Sequence, residues 1–199
     1  MLETIIILLA IGLDQLAKYL TDVHLTPLGT TVPVWEGVFH LTSTHNTGAA
    51  FGMLSNGTWL LIIVSSVASI AIIWLLIKYR KHMHTFMRVS LALILAGALG
   101  NLIDRVVLGY VRDMLEFAFV KFAIFNVADT AVSIGAALLA LDVLFGKGRQ
   151  VLDKLDEKTA KKKPGPEAEP EEATEPTEES EQDADEPEQD ADQPQKEQQ

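Results

Sequence analysis

The sequence predicts an all-α membrane protein: four transmembrane helices with a small extracytoplasmic β-rich cradle in the first outer loop. Three observations predict it. Crossing about 30 Å of hydrocarbon takes roughly 20 mostly apolar residues as a helix, and four segments, 2–20, 59–77, 89–108 and 123–145, meet that requirement. Lys and Arg gather between the second and third segments and after the fourth, and none occurs in 19–77. Asp14, Asn101, Asp104, Asn126 and Asp129 of the apolar segments sit toward one end of them, as a site does and a random polar intrusion does not.

Composition divides the chain. Its 199 residues are 48% hydrophobic, yet the formal charge is −11. Residues 1–163 hold 15 Lys/Arg and 12 Asp/Glu, net +3, whereas 164–199 hold 1 and 15, net −14. The acidity therefore belongs to a tail of Glu, Asp, Gln, Pro and Ala, in which EQDADEP at 181–187 is nearly repeated at 188–194. Such a segment cannot bury a core and is expected to be disordered. The organisation is a membrane domain at 1–149, a basic juxtamembrane segment at 150–163 and the acidic tail at 164–199. The absence of cysteine excludes a disulfide framework and any thiolate nucleophile or thiolate metal site.

The first segment has the length of a signal peptide. It lacks a basic start and a small-x-small cleavage site and carries Glu3, Asp14 and Lys18, so it reads as a retained helix. In the following outer loop, TVPVWEGVFHLTSTHNTGAAF mixes β-branched and aromatic residues with Gly and Pro turns, which predicts short strands on the membrane surface. Orientation follows from Lys78, Arg80, Lys81 and Arg88 after the second helix and from the cations between Lys147 and Lys163 after the fourth. Cytoplasmic loops hold the excess of Lys and Arg, so both termini are expected inside and 21–58 and 109–122 outside. Asn46, Asp104, Asp113 and Asp129 then lie near the extracytoplasmic surface, and Trp35 and Trp59 suit an interfacial belt.

Asp113 and Asp129 bracket an apolar stretch at that same end. Two carboxylates able to share a proton are the minimum for aspartic hydrolysis. In the third helix Gly97, Asn101 and Arg105 are spaced by four and Asn101 and Asp104 by three, so they share roughly one face. The fourth helix repeats the Asn-x-x-Asp step at Asn126 and Asp129, with Thr130 and Ser133 a turn further in, while Ala96, Gly97 and Gly100 let backbones approach. Asp14 and Lys18 form an i, i+4 pair at the same depth. Each feature also has a plainer meaning: Asn and Asp near helix ends cap them, an ion pair can be merely satisfied, and small residues pack. Asp104 rivals Asp113 for membership of an acid pair, although Arg105 beside it in sequence is expected to neutralise it by pairing. The five histidines read as structural or interfacial, since only His82 and His84 have metal-ligand spacing and they sit in a basic loop; Asn56-Gly57-Thr58 is an incidental glycosylation sequon.

Five blocks in order, DQLAK at 14–18, NTGAAFG at 46–52, AGALGNLIDR at 96–105, VRDML at 111–115 and FNVADT at 125–130, resemble those of bacterial lipoprotein signal peptidase, or signal peptidase II. The chain departs from the family's usual Gly-Gly at Ala96-Gly97 and from its usual Phe at Met114. The resemblance implies a multi-pass aspartic endopeptidase of the bacterial inner membrane. It would cleave the signal peptide of a prolipoprotein just before the diacylglyceryl-modified cysteine.

On that resemblance Asp113 and Asp129 are the catalytic pair; Asp14, Lys18, Asn101, Asp104 and Asn126 support them; and Asn46, Gly48 and Arg105 bind substrate. The expected partners are prolipoproteins carrying diacylglyceryl-cysteine, membrane lipids and the cyclic-peptide inhibitor globomycin. No nucleic acid, metal or organic cofactor is expected, and the chain is expected to act as a monomer. Two other classes compete. A small transporter or proton-relay protein would place its acids near the midplane within a repeated topology, and a structural subunit would leave the acid pair idle.

Overall fold

Helix α1 (Leu2–His24) opens the chain, and strands β1 (Thr31–Trp35) and β2 (Phe39–Asn46) follow. Helices α2 (Thr58–Tyr79) and α3 (Thr85–Leu108), strand β3 (Val111–Phe117) and helix α4 (Val127–Phe145) complete the order. This computed structural model describes residues 1–48 and 57–145. The expectations for 150–163 and for the acidic tail concern residues outside those described, as do Asn56 of the sequon and residues 49–52 of the second sequence block.

All four helices are long and apolar enough to cross a membrane, and their outward faces carry the residues that a water-soluble protein would bury. Leu8 and Leu9 on α1, Val67 and Ile70 on α2 and Leu141 and Leu144 on α4 are exposed, as lipid-facing side chains are. Inside, Leu76, Met83, Met87, Leu91 and Leu95 form an apolar cluster. Helix α3 is the central element, packed against each of the other three. Its approach to α4 depends on Gly97, where a Cβ would stand 2.2 Å from the Ala128 carbonyl oxygen and 2.6 Å from Val132 Cγ2. Close backbone contact of this kind is how helices associate where no hydrophobic drive separates them from lipid.

At its other end α3 stops on Gly109, whose φ of 82° is the left-handed conformation that favours glycine and whose N–H bonds the Arg105 carbonyl. The chain reverses there and enters β3 two residues later. The strands form an antiparallel sheet in the order β1-β2-β3. Its register sets Asp113 opposite Thr44 and Val111 opposite Asn46, so Asn46 is a diagonal neighbour of Asp113. The Thr42 hydroxyl, hydrogen-bonded to the Glu116 carboxylate and paired with the Thr31 hydroxyl, ties all three strands together. Strand β1 is the exposed edge and carries Pro33, which blunts that edge against further pairing.

The cradle therefore takes two strands from the first outer loop and the third from 111–117. Helix α4 begins at Val127, four residues later than apolarity alone suggests. Residues 123–125 are apolar but extended, and Phe125 exchanges backbone hydrogen bonds with Leu115 at 2.8 and 3.0 Å. Asn126 then starts the helix. Its Oδ1 accepts the Asp129 N–H at 2.8 Å, and Asp129 Oδ2 accepts the Asn126 N–H at 3.2 Å. This reciprocal capping box fixes the boundary more firmly than hydropathy does.

Candidate active site

The end of α3, the start of α4 and the first half of β3 meet over the C-terminal half of α1. Asp113 comes from β3 and Asp129 from the first turn of α4. Amide groups join them. Asn126 donates from Nδ2 to Asp113 Oδ1 at 2.6 Å and to Asn101 Oδ1 at 3.0 Å, and Asn101 donates from Nδ2 to Asp129 Oδ1 at 2.7 Å. The second Asp113 oxygen accepts from Asn46 Nδ2 at 3.0 Å. Each aspartate thus receives two N–H donors. Asn46 is held in turn by the Gly48 N–H, which donates to its Oδ1 at 2.9 Å.

Charge sets the direction of the amide chain. Lys18, fully buried, places its ammonium 2.8 Å from Asp14, 3.3 Å from Asp104 and 3.1 Å from Asn101 Oδ1. An ammonium can only donate, so it holds the Asn101 oxygen toward itself and the Asn101 NH2 toward Asp129. Asp14 also accepts the Ala128 N–H at 2.8 Å, placing a second carboxylate against the N-terminus of α4, where the helix dipole favours negative charge.

Asp113 is 2% exposed. Burial pushes its carboxyl up to about 6; the charge of Asp129 adds to the rise, while hydrogen bonds from Asn46 and Asn126 oppose it. The larger cause is desolvation, since a carboxylate removed from water loses hydration that two amides only partly restore.

Asp104 is placed differently. Its neutralising partners are Lys18 and Arg112, the latter reaching it through Nη2 at 2.8 Å, Nε at 3.3 Å and the backbone N–H at 3.1 Å. Arg105, its neighbour in sequence, is not the partner: successive residues on a helix point apart, and Arg105 donates instead to the Gly48 carbonyl at 3.0 Å. Arg112 and Gln15 are the residues that sequence reasoning missed. Arg112 also pairs with Asp22 at 3.2 Å and bonds Gln15 at 3.0 Å, and Gln15 donates to Asp14, Asp104 and the Gly100 carbonyl. Both lie inside the quoted sequence blocks. The available signal was β alternation, which turns Arg112 away from Asp113 and toward α1 and α3.

A cavity of about 470 Å³ opens beside the two aspartates. Asn46, Asn101, Arg105, Asp113 and Asp129 form its polar end; Val111, Phe117, Phe122, Phe125, Val132 and Ile134 line the remainder together with Thr130 and Ser133. Arg105 Nε is buried and without a hydrogen-bond partner among the described residues. Of the residues singled out from sequence, Asn46, Asn101, Arg105, Asp113 and Asp129 face this cavity; Asp14, Lys18 and Asp104 stand behind it, Asn126 bridges the two groups and Gly48 braces Asn46 and Arg105. Of the histidines, His84 caps α3 and lies 2.9 Å from Asp142, and His45 stacks on Tyr110.

The family described as Signal peptidase (SPase) II matches residues 6–145. The lipoprotein signal peptidase of Clostridioides difficile is 46% identical over 145 residues, covering 73% of this chain and 96% of that protein. That of Brevibacillus brevis is 48% identical over 135 residues, covering 67% and 88%. Two solved structures, each described as a bacterial membrane enzyme, are similar in fold. One superposes with a TM-score of 0.63 at 30% identity over 87% of this chain and 94% of its own, the other with 0.65 at 33% over 72% and 92%.

Proposed function

The chain belongs to the lipoprotein signal peptidase family, and from that premise we propose that it is an aspartic endopeptidase working through Asp113 and Asp129. The observation that carries the proposal is the continuous amide bridge Asp113–Asn126–Asn101–Asp129, with donors on all four carboxylate oxygens, at the polar end of a largely apolar cavity. Two carboxylates in a site of low dielectric share one proton more readily than they both ionise.

The environments differ enough to assign that proton. Asp129 stands in the first turn of α4, accepts a backbone N–H of the cap, and faces an Asn101 amide polarised by Lys18. Asp113 has neutral amides as its partners. Asp129 is thus the base and Asp113 the acid. Asp129 takes a proton from water as the oxygen attacks the scissile carbonyl, and Asp113 gives its proton to the carbonyl oxygen, forming a gem-diol. On collapse Asp129 passes its proton to the leaving amine and Asp113 recovers one from the gem-diol, restoring both groups.

The substrate is a prolipoprotein, cut before its diacylglyceryl-cysteine. Asn46 and Arg105 hold its backbone, the buried Arg105 Nε supplying a donor, and the phenylalanine-lined end takes apolar groups of peptide or lipid. In the membrane the site faces the extracytoplasmic side with both termini inside, a reading that the Lys/Arg distribution supports.

The test is cleavage in detergent of a diacylglyceryl-modified prolipoprotein by the wild-type chain and by Asp113→Asn, Asp129→Asn and Asp104→Asn at matched protein levels. The proposal expects globomycin-sensitive cleavage by wild type, none by the first two variants and residual activity in the third. Activity in Asp113→Asn with none in Asp104→Asn redraws the pair around Asp104.

A further inference from the structure

At the end of the bundle away from Asp113 and Asp129, where α1 begins, α2 ends and α3 begins, lies a second cavity, of about 250 Å³. Ile7, Ile73, Ile77 and Leu95 line its apolar slot, and Glu3 and Arg80 form its polar rim. The Glu3 carboxylate, almost fully buried, takes two guanidiniums: Arg80 through Nε and Nη2, both at 3.3 Å, and Arg88 through Nη1 at 3.1 Å. Half of the Arg80 side chain remains exposed at the rim, with Lys78 and Lys81 close to it in sequence. Among the described residues at this end the acids are Glu3 and Asp142, the latter 2.9 Å from His84. Lys78, Arg80, Lys81 and Arg88 outnumber them, so among the described residues this end of the bundle carries an excess of positive charge.

We propose that this cleft binds one anionic phospholipid of the leaflet in which it lies, the phosphate on Arg80 and an acyl chain in the slot. Depth selects the occupant. A cleft whose polar rim sits at the ends of membrane-spanning helices and whose apolar floor lies one to two turns inside meets lipid rather than a soluble ligand. The guanidinium of Arg80 can address Glu3 and a phosphate oxygen together, because its planar fork presents several donors. Bound there, the lipid balances the excess charge and fills the gap between α1 and α2.

Native mass spectrometry of the full chain, released from detergent with added phosphatidylglycerol or phosphatidylcholine, tests this without recourse to cleavage, so failure of the peptidase reading does not touch it. One phosphatidylglycerol should be retained about fivefold or more over phosphatidylcholine, the preference that one surface cation supplies. Arg80→Gln should abolish the preference. Ile73→Trp, which fills the slot and leaves every cation in place, should abolish retention; it carries the test if Arg80→Gln does not fold. Excess glycerol 3-phosphate should not displace the lipid. Equal retention of the two lipids, retention by Ile73→Trp, or displacement by glycerol 3-phosphate overturns the proposal, the last by showing a site for free phosphate.

Discussion

Asn46→Ala distinguishes an acid from a base at position 113. Asn46 donates to Asp113 Oδ2 at 3.0 Å and heads the influences that hold the Asp113 carboxyl down against burial. A hydrogen bond to a charged group contributes about 1.5–3 kcal/mol, and about 1.36 kcal/mol corresponds to one pKa unit. Asn46 is half-buried, so water replaces part of the bond, and the rise on its removal is about one unit above the present value of about 6. If Asp113 is the proton donor, the alkaline limb of kcat/KM moves up by that amount, and the variant regains ground on wild type as pH rises. If Asp113 is the base, the same rise protonates a group that must be ionised, and the variant loses ground near pH 6–7. The assay is initial-rate cleavage of diacylglyceryl-modified prolipoprotein from pH 5 to 9. A profile lowered uniformly, with neither limb displaced, refutes the assignment of Asp113 to either role.

Three other outcomes follow from the same geometry. Lys18→Met leaves Asp14 and Asp104 buried without the ammonium between them. A loss of about 3–5 kcal/mol is expected, read as failure to accumulate in membranes or as a collapse in thermal stability. The folded-state pKa of Asp113 is raised, so the native chain binds its proton more tightly than the unfolded one. The contribution of Asp113 to stability accordingly falls as pH rises from about 4 to about 6 and is flat above. Thermal unfolding of wild type minus that of Asp113→Asn, followed across this window, should show that slope. Gly97→Val drives methyl groups into the Ala128 carbonyl and the Val132 side chain. It should cost about 1–3 kcal/mol and, by parting α3 from α4, depress cleavage more than a comparable substitution on the lipid face of α2.

Hydropathy identified the four spans because lipid imposes one solution on the backbone: every N–H and C=O must be satisfied within the helix. It misplaced the start of α4, since Ala123, Ile124 and Phe125 are as apolar as the helix they precede. What decides there is a hydrogen bond from Phe125 to Leu115 and a cap at Asn126. The two strands in the first outer loop were legible from β-branched and aromatic alternation. The third strand, carrying Asp113, was not expected; the structure brings it beside β2 through the left-handed turn at Gly109. Helical spacing grouped Gly97, Asn101 and Arg105 on one face and linked Asn126 with Asp129. Strand alternation could turn Arg112 away from Asp113, but it could not name Asp104 as the partner, because which elements meet across the fold has no periodic signature.

Asn126 shows why a cap and a site residue are not competing descriptions here. A cap needs one acceptor, and Oδ1 supplies it to the Asp129 N–H at 2.8 Å. Capping gives no reason for the Nδ2 group to lie 2.6 Å from Asp113 and 3.0 Å from Asn101 in a residue with no exposed surface. Those bonds bridge the two aspartates. Serine caps about as well as asparagine but has no second donor arm, so Asn126→Ser separates the two duties. The helix start should persist. The lost donor to a carboxylate, about 1.5–3 kcal/mol, should lower cleavage by about 10- to 150-fold if the bridge acts in the transition state. Asn126→Ala, which loses both, should add a stability loss of about 1 kcal/mol to the same loss of activity. Cleavage by Asn126→Ser at the wild-type rate reduces Asn126 to its cap and leaves the amide bridge without a part in the chemistry.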